Sequence, residues 1–178
     1  GKRMRDRMET VIKKAAPHGP FAWALDDEIS LTRGNSPFDF CRSAACLRAF
    51  REWLQRRYGT IGKLNAHWRT TFESFAAVDP STTDAIRRRE FVRSPLRWNF
   101  APWAVHREFM DERFCAMVAE MAKRASERDP QARPAGFTGG GAPSPFSGVD
   151  WPRILPHVGF VEPYDEGGSR ELVRSFMR

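Results

Sequence analysis

Short runs of apolar residues alternate with longer amphipathic stretches along the chain. The first run, residues 22–25, leads directly into three acidic residues, and two similar runs occupy residues 135–138 and 158–161. Continuous apolar runs of this length are typical of strands that are buried on both faces of a parallel sheet. We therefore expect three parallel strands over these ranges, adjacent to one another and in chain order.

The stretches between these runs carry apolar residues at helical spacing. Phe50, Leu54 and Tyr58 recur on one helical face, and Gly59 is suited to end that helix. Met110, Met117 and Met121 recur on one face of a later helix, so we expect them in the core. The pattern predicts helices over residues 3–16, 47–58, 60–68, 103–128, 151–155 and 169–177.

Strands that alternate with helices predict an α/β fold with a parallel sheet. Polar residues follow the strand candidates at their carboxyl ends, as Asp26-Asp27-Glu28 and Glu162-Pro163-Tyr164 show. This placement favours part of a (β/α)8 TIM barrel over a doubly wound sheet, because such barrels carry their chemistry at the carboxyl ends of the strands.

The composition is that of a folded domain with a basic surface. Hydrophobic residues make up 41% of the chain, and 29 Lys and Arg against 22 Asp and Glu give a net charge of +7. The arginines are scattered along helical faces, which favours a solvated surface, so we expect no nucleic-acid partner.

No apolar stretch approaches the roughly 18 residues of a membrane helix, so we expect no membrane partner either. The first residues have neither an initiator Met nor a signal peptide, so we expect a piece of a longer protein.

The acidic residues after the first strand are the strongest candidate for chemistry. Hydrolysis of a glycoside needs a carboxylic acid that protonates the leaving oxygen and then acts as a base. Three acids after a strand are also typical of a solvated turn or a helix start, and the residues alone leave both readings open. Aromatic residues near strand ends or in loops could stack on a sugar, with core packing as the alternative for each. These aromatic residues are Trp23, Trp98, Trp103, Trp151 and Tyr164.

The cysteines and glycines give weaker signals. Cys41 and Cys46 supply two thiolates where a structural zinc takes four ligands, and Cys115 is remote in sequence. We therefore expect no metal and no other cofactor, and three cysteines do not indicate the compartment. The glycines at 139–141 lack the Lys-Ser/Thr of a phosphate-binding loop, which favours a flexible barrel loop.

Residues 23–68 resemble glycoside hydrolase family 42, the β-galactosidase family. The segment contains Trp-Ala-Leu-Asp-Asp-Glu, then a loop with two cysteines, then FREWLQRRYGTIGKLNAHW. Family members show a strand that ends in Asn-Glu, a cysteine-bearing loop, and a helix that reads like F-R-x-W-L-x-x-x-Y-G-T-x-x-x-L-N-x-x-W. The order and length of the match make this stretch specific.

The resemblance implies that the chain covers roughly strands four to six of the barrel and that Glu28 is the catalytic acid/base after strand four. Asp27 stands where the family has an amide that binds the sugar. Glu162 and Tyr164 would lie near the substrate after strand six, while the family nucleophile, a glutamate after strand seven, would lie beyond residue 178. The family's cysteine loop often reads C-x-C-x-x-C and helps to bind a structural zinc, and Ser43 interrupts that pattern here.

We therefore expect residues 1–178 to be a single segment of a catalytic TIM-barrel domain, incomplete at both ends and inactive in isolation. The longer protein would hydrolyse terminal β-linked galactosides or related sugars with retention, and a homo-oligomer of it is compatible with the sequence. Glu28 is the expected catalytic residue, and Asp27, Trp23, Glu162 and Tyr164 are expected to bind substrate. The alternatives are a non-catalytic carbohydrate-binding or structural relative and, least favoured, a basic nucleic-acid-binding domain.

Overall fold

The computed structural model of the chain describes residues 2–31, 39–140, 147–165 and 167–177. These residues divide into two compact units. The sheet unit comprises Gly1–Ser36 and Asp111–Arg178, and the helical unit comprises Pro37–Met110.

A three-stranded parallel sheet forms the centre of the sheet unit. Its strands are β1 (Trp23–Asp27), β2 (Ala135–Gly140) and β3 (Phe160–Pro163), in the order β1-β2-β3. This confirms the predicted number, direction and order of the strands. All three strands end two residues beyond the apolar runs, because the residues that follow each run still pair with the neighbouring strand, and β3 begins two residues later than predicted.

Helices pack against this sheet. They are α1 (Lys2–Ala15), the later part of α5 (Ala101–Arg128), α6 (Trp151–Ile154) and α7 (Ser169–Phe176). Phe114, Val118, Ala122 and Ala125 form the buried stripe of α5. Met117 lies off this stripe and is 41% exposed, so the expectation that it belongs to the core was wrong.

The helical unit contains α2 (Ala44–Tyr58), α3 (Ile61–Trp68), α4 (Thr83–Glu90) and the beginning of α5. Gly59, with φ of 72°, follows the last turn of α2 as predicted. Thr60 caps α3, also as predicted. We did not predict α4, because its arginine run obscures an apolar face and only Ile86 and Glu90 are buried.

Aromatic stacking fills the centre of the helical unit. The ring centroid of Phe50 lies 5.3 Å from the ring centroid of Phe109 and 6.3 Å from that of Trp68. Arg57 pairs with Glu108 at 2.6 Å on its surface. Across the ranges that the structure describes, no helix combines the length and the apolar character needed to span a bilayer.

Candidate active site

Glu28 lies at the carboxyl end of β1, where the chain leaves the sheet. Its backbone has φ of 51°, a left-handed conformation that is uncommon for residues other than glycine. Its N–H donates to the carbonyl oxygen of Thr138 at 3.0 Å. The position of Glu28 is therefore set by the end of β2 as well as by its own strand.

Thr138 also holds the side chain that precedes Glu28. Its hydroxyl donates to Asp27 Oδ1 at 2.7 Å, and the two residues are register partners in the sheet. This contact leaves Asp27 Oδ2 as the oxygen that could accept a hydrogen bond from a ligand. A carboxylate oxygen accepts hydrogen bonds, so a ligand at this position would have to offer a donor such as a hydroxyl group.

Gly139 makes room for both acidic side chains. It has φ of 69°, and a Cβ placed there would lie 2.8 Å from Glu28 Cγ and 2.8 Å from Asp27 Oδ1. A methyl group at that distance would require the carboxylates to move. Residues 139 and 140 belong to β2, so the expectation of a flexible loop was wrong for them, and residue 141 lies outside the described residues.

Tyr164, the residue directly after β3, contacts Glu28. Its hydroxyl donates a short hydrogen bond to Glu28 Oε1, and its N–H donates to the Gly140 carbonyl at 2.7 Å. The hydrogen bond with Glu28 and the neighbouring negative charges raise the pKa of Tyr164 to about 12. The phenol therefore remains protonated, and a donor, at any ordinary pH.

Glu162 completes the group of carboxylates at this edge. It lies inside β3 rather than after it, and it pairs in register with Thr138. Its Oε2 accepts the N–H of Gly139 at 3.4 Å. Asp27, Glu28 and Glu162 thus surround a single glycine at the carboxyl ends of three adjacent strands.

Trp23 is not part of this group. It begins β1, at the opposite end of the strand from Glu28, and it is only 8% exposed. Its Nε1 donates to Asp129 Oδ2 at 2.9 Å. The expected role of Trp23 in binding substrate therefore has no support in its position, and the residue anchors β1 to the end of α5.

The other aromatic residues considered for sugar stacking have partners of their own. Trp151 is buried and stacks on Phe137 in the core of the sheet unit, with ring centroids 6.1 Å apart. Trp98 and Trp103 belong to the helical unit, where Trp103 donates to Thr83 at 3.0 Å. Tyr164, 39% exposed, is the expected aromatic residue that contacts Glu28.

Sequence reasoning missed Thr138 and Gly139. The strand candidate 135–138 did end at Thr138, but nothing in its residue types indicated a contact with Asp27. The glycines after it were interpreted as a loop, although a glycine at a strand end is also typical of a close approach by other groups. A glycine at the end of a strand was therefore the sequence feature that could have indicated the close approach at Gly139.

The cysteine loop does not fit the structural zinc of the resembling family. Cys41 Sγ lies 3.2 Å from the hydroxyl of Ser43, which stands at the position of a family cysteine. Within the described ranges no group of three or more His, Cys, Asp or Glu side chains could hold a metal ion. Two thiols and a hydroxyl are not the ligand set of tetrahedral structural zinc.

Part of the chain matches a known protein family. The family model described as Beta-galactosidase matches residues 14–113, which include the whole segment of the resemblance. No curated protein matches the chain.

Solved structures share the fold at low sequence identity. The β-galactosidase of the psychrophilic Marinomonas ef1 is 15% identical, with a TM-score of 0.64 over 89% of this chain and 22% of that one. The polyextremophilic β-galactosidase of the Antarctic haloarchaeon Halorubrum lacusprofundi is 19% identical, with a TM-score of 0.59 over 94% of this chain and 25% of that one. The catalytic domain of a β-amylase from Paenibacillus polymyxa is 13% identical, with a TM-score of 0.62 over 88% of this chain and 44% of that one.

The chain therefore spans a quarter or less of the length of these two β-galactosidases. Its parallel sheet with flanking helices is similar to the corresponding part of TIM-barrel glycosidases. Since the family model covers more than half of the sequence, the chain belongs to glycoside hydrolase family 42, the β-galactosidase family.

Proposed function

We propose that this chain is a segment of the (β/α)8 barrel of a retaining β-glycosidase and that Glu28 is its acid/base. In this proposal β1, β2 and β3 are strands four, five and six of the barrel. The observation that carries it is the placement of Glu28 at the carboxyl end of β1, in contact with the end of β2 and with Tyr164, which follows β3. Barrel enzymes carry their catalytic groups at that edge.

The contact with Tyr164 gives the two oxygens of Glu28 different roles. Oε1 accepts the phenol hydrogen bond, so Oε2 is the oxygen that would carry the proton to the glycosidic oxygen. After the sugar is transferred, the same oxygen would take a proton from the attacking water. Tyr164 thereby acts as a positioning residue for the acid/base, in addition to any contact with the sugar.

The remaining carboxylates have supporting roles in this proposal. Asp27, held through Oδ1 by Thr138, would accept a hydrogen bond from a sugar hydroxyl through Oδ2. Glu162 would bind a second hydroxyl from β3. A retaining mechanism also needs a nucleophile about 5–5.5 Å from the acid/base, and we assign it to a strand outside these 178 residues. The two β-galactosidases of similar fold make a terminal β-linked galactoside the first substrate to test.

The test uses the longer protein with one natural disaccharide and one nitrophenyl galactoside. Glu28→Gln should slow the natural substrate by about 10²–10⁴-fold and the activated one much less, because a good leaving group needs little protonation. Asp165→Asn is the control, since Asp165 is next to Tyr164 in sequence but pairs with Arg170 at 3.2 Å. Equal losses on both substrates, or no loss, would remove Glu28 from the acid/base role.

The 178-residue chain itself should not hydrolyse either substrate, because in this proposal it supplies the acid/base without the nucleophile. Turnover by the purified chain that Glu28→Gln abolishes would place the nucleophile within it. Sugar binding without turnover in the longer protein would instead support a non-catalytic relative.

A further inference from the structure

Two thiols lie side by side at the start of α2, within the helical unit. Cys41 is exposed and Cys46 is half-buried. The Cys46 side chain is hydrogen-bonded to the Cys41 thiol, and the Ser43 hydroxyl lies 3.2 Å from Cys41 Sγ. The same hydroxyl caps α2 by accepting the N–H of Cys46 at 3.3 Å. The two thiols and the cap therefore form one small polar cluster.

The backbone on both sides of Cys41 is fixed by specific contacts. Asp39 Oδ1 accepts the first backbone N–H of α4 at 2.6 Å. The guanidinium of Arg42 binds the carboxylate of Asp79 through hydrogen bonds of 2.6 and 2.7 Å. Cys46 is in the first turn of a helix. The fold, rather than a loose loop, therefore brings the two sulfurs together.

The surroundings of this pair favour thiol chemistry over metal binding. The described residues offer no third metal-binding side chain beside it, whereas a structural zinc takes four ligands. Hydrogen bonds from Cys46 and Ser43 lower the pKa of the Cys41 thiol. Because the thiolate is the nucleophile in thiol–disulfide exchange, an exposed thiol with a lowered pKa is suited to attack a disulfide.

We propose that Cys41 and Cys46 form a reversible dithiol–disulfide site whose oxidant is a small-molecule disulfide such as oxidised glutathione. The Cys41 thiolate attacks one sulfur of the reagent, which forms a mixed disulfide and releases one glutathione thiolate. The Cys46 thiolate then attacks the Cys41 sulfur and displaces the second glutathione. Two electrons pass from the protein thiols to the reagent, and their two protons go to the departing thiolates.

The test is oxidation of the whole chain with oxidised glutathione, followed by mass spectrometry and peptide mapping. We expect a mass loss of about 2 Da and a cross-linked peptide joining residues 41 and 46, both reversed by a dithiol reductant. Cys46→Ser should instead accumulate a glutathione adduct on Cys41. Cys115→Ser is the matched control and should behave as the unmodified chain, because Cys115 is buried and burial raises its pKa.

A second arm separates a site built by the fold from mere proximity in sequence. Closure of the mixed disulfide should be at least about tenfold faster in buffer than in urea, since folding raises the effective concentration of the second thiol. Equal rates would overturn the proposal, as would a stable glutathione adduct on the unmodified chain. Stoichiometric zinc that survives dialysis and protects both thiols would also overturn it.

Discussion

Gly139→Ala tests how tightly the chain packs around the carboxylates of Asp27 and Glu28, because it adds one methyl group beside them. Alanine there would have to keep φ near 69°, which costs an L-residue about 1–2 kcal/mol. Its Cβ would also lie 2.8 Å from Glu28 Cγ, 2.8 Å from Asp27 Oδ1 and 3.0 Å from the Glu28 nitrogen. Such overpacking typically costs a further 1–3 kcal/mol or so. We therefore expect Gly139→Ala to lower the free energy of unfolding by about 2–5 kcal/mol.

Gly19 supplies the matched control within the same unit. Its φ of 67° is nearly that of Gly139, but a Cβ there would meet nothing within 4 Å. Gly19→Ala should therefore lose only the conformational part, about 1–2 kcal/mol. The difference between the two variants isolates the contact with the carboxylates from the backbone effect.

Urea unfolding, followed by tryptophan fluorescence at pH 7, measures both free energies of unfolding, and similar m-values would validate the comparison. Equal losses in the two variants would refute the claim that Gly139 is tightly packed beneath Glu28 and Asp27. In the longer protein Gly139→Ala should also lower kcat by up to about 10²-fold, the effect of a misplacement of roughly 1 Å.

Three further predictions concern groups with defined partners. In the longer protein, Tyr164→Phe should lower kcat by about 10–100-fold with little change in KM, because it removes the hydrogen bond that positions Glu28. Steady-state kinetics with unchanged kcat would contradict this. Burial raises the pKa of Asp129, but its hydrogen bonds, the largest contribution coming from Trp23, lower the pKa by more. The pKa of Asp129 is therefore about 2 instead of 3.8. The stability of the chain should therefore fall as the pH drops from 3.8 through about 2, and urea midpoints of Asp129→Asn should lack part of this fall. Burial, and to a smaller extent the charge of Arg42, lowers the pKa of His106 from 6.5 to about 4. Between these pH values the unfolded chain binds more protons than the folded chain, so the stability should fall as the pH drops from 6.5 to 4. His106→Leu should flatten this dependence, and an unchanged slope would show that the imidazole is not buried as described.

The strands could be predicted because burial on both faces leaves a continuous apolar run in the sequence. The three runs gave the direction and order of the sheet, since parallel strands need helical crossovers between them. An apolar run does not show which of its side chains lie at the end of the strand that faces the site. Trp23 was assigned to the substrate for that reason, although it begins β1 and binds Asp129.

Helix α4 shows a different limit. Its arginine run has the composition of a solvated segment, and the capping contact of Thr82 with the N–H of Ala85, 3.1 Å, is too local to distinguish a helix from a turn. Buried Glu90 settles the conformation through an ion pair with Arg89 and a hydrogen bond from the N–H of Asn99 at 2.9 Å. A buried carboxylate of this kind is stable only with its partners, which become visible only in the folded chain.

The arrangement around Glu28 could be predicted in its residue types but not in its contacts. Tyr164 is 136 residues away in sequence, and Thr138 holds Asp27 across 111 residues. Neither contact follows from a local pattern, because each depends on the register of neighbouring strands. Shifting β2 forward by one residue would turn Thr138 away from Asp27 and place its side chain where Gly139 now leaves space. The geometry around Glu28 is therefore encoded as much in the pairing of β1, β2 and β3 as in the glutamate itself.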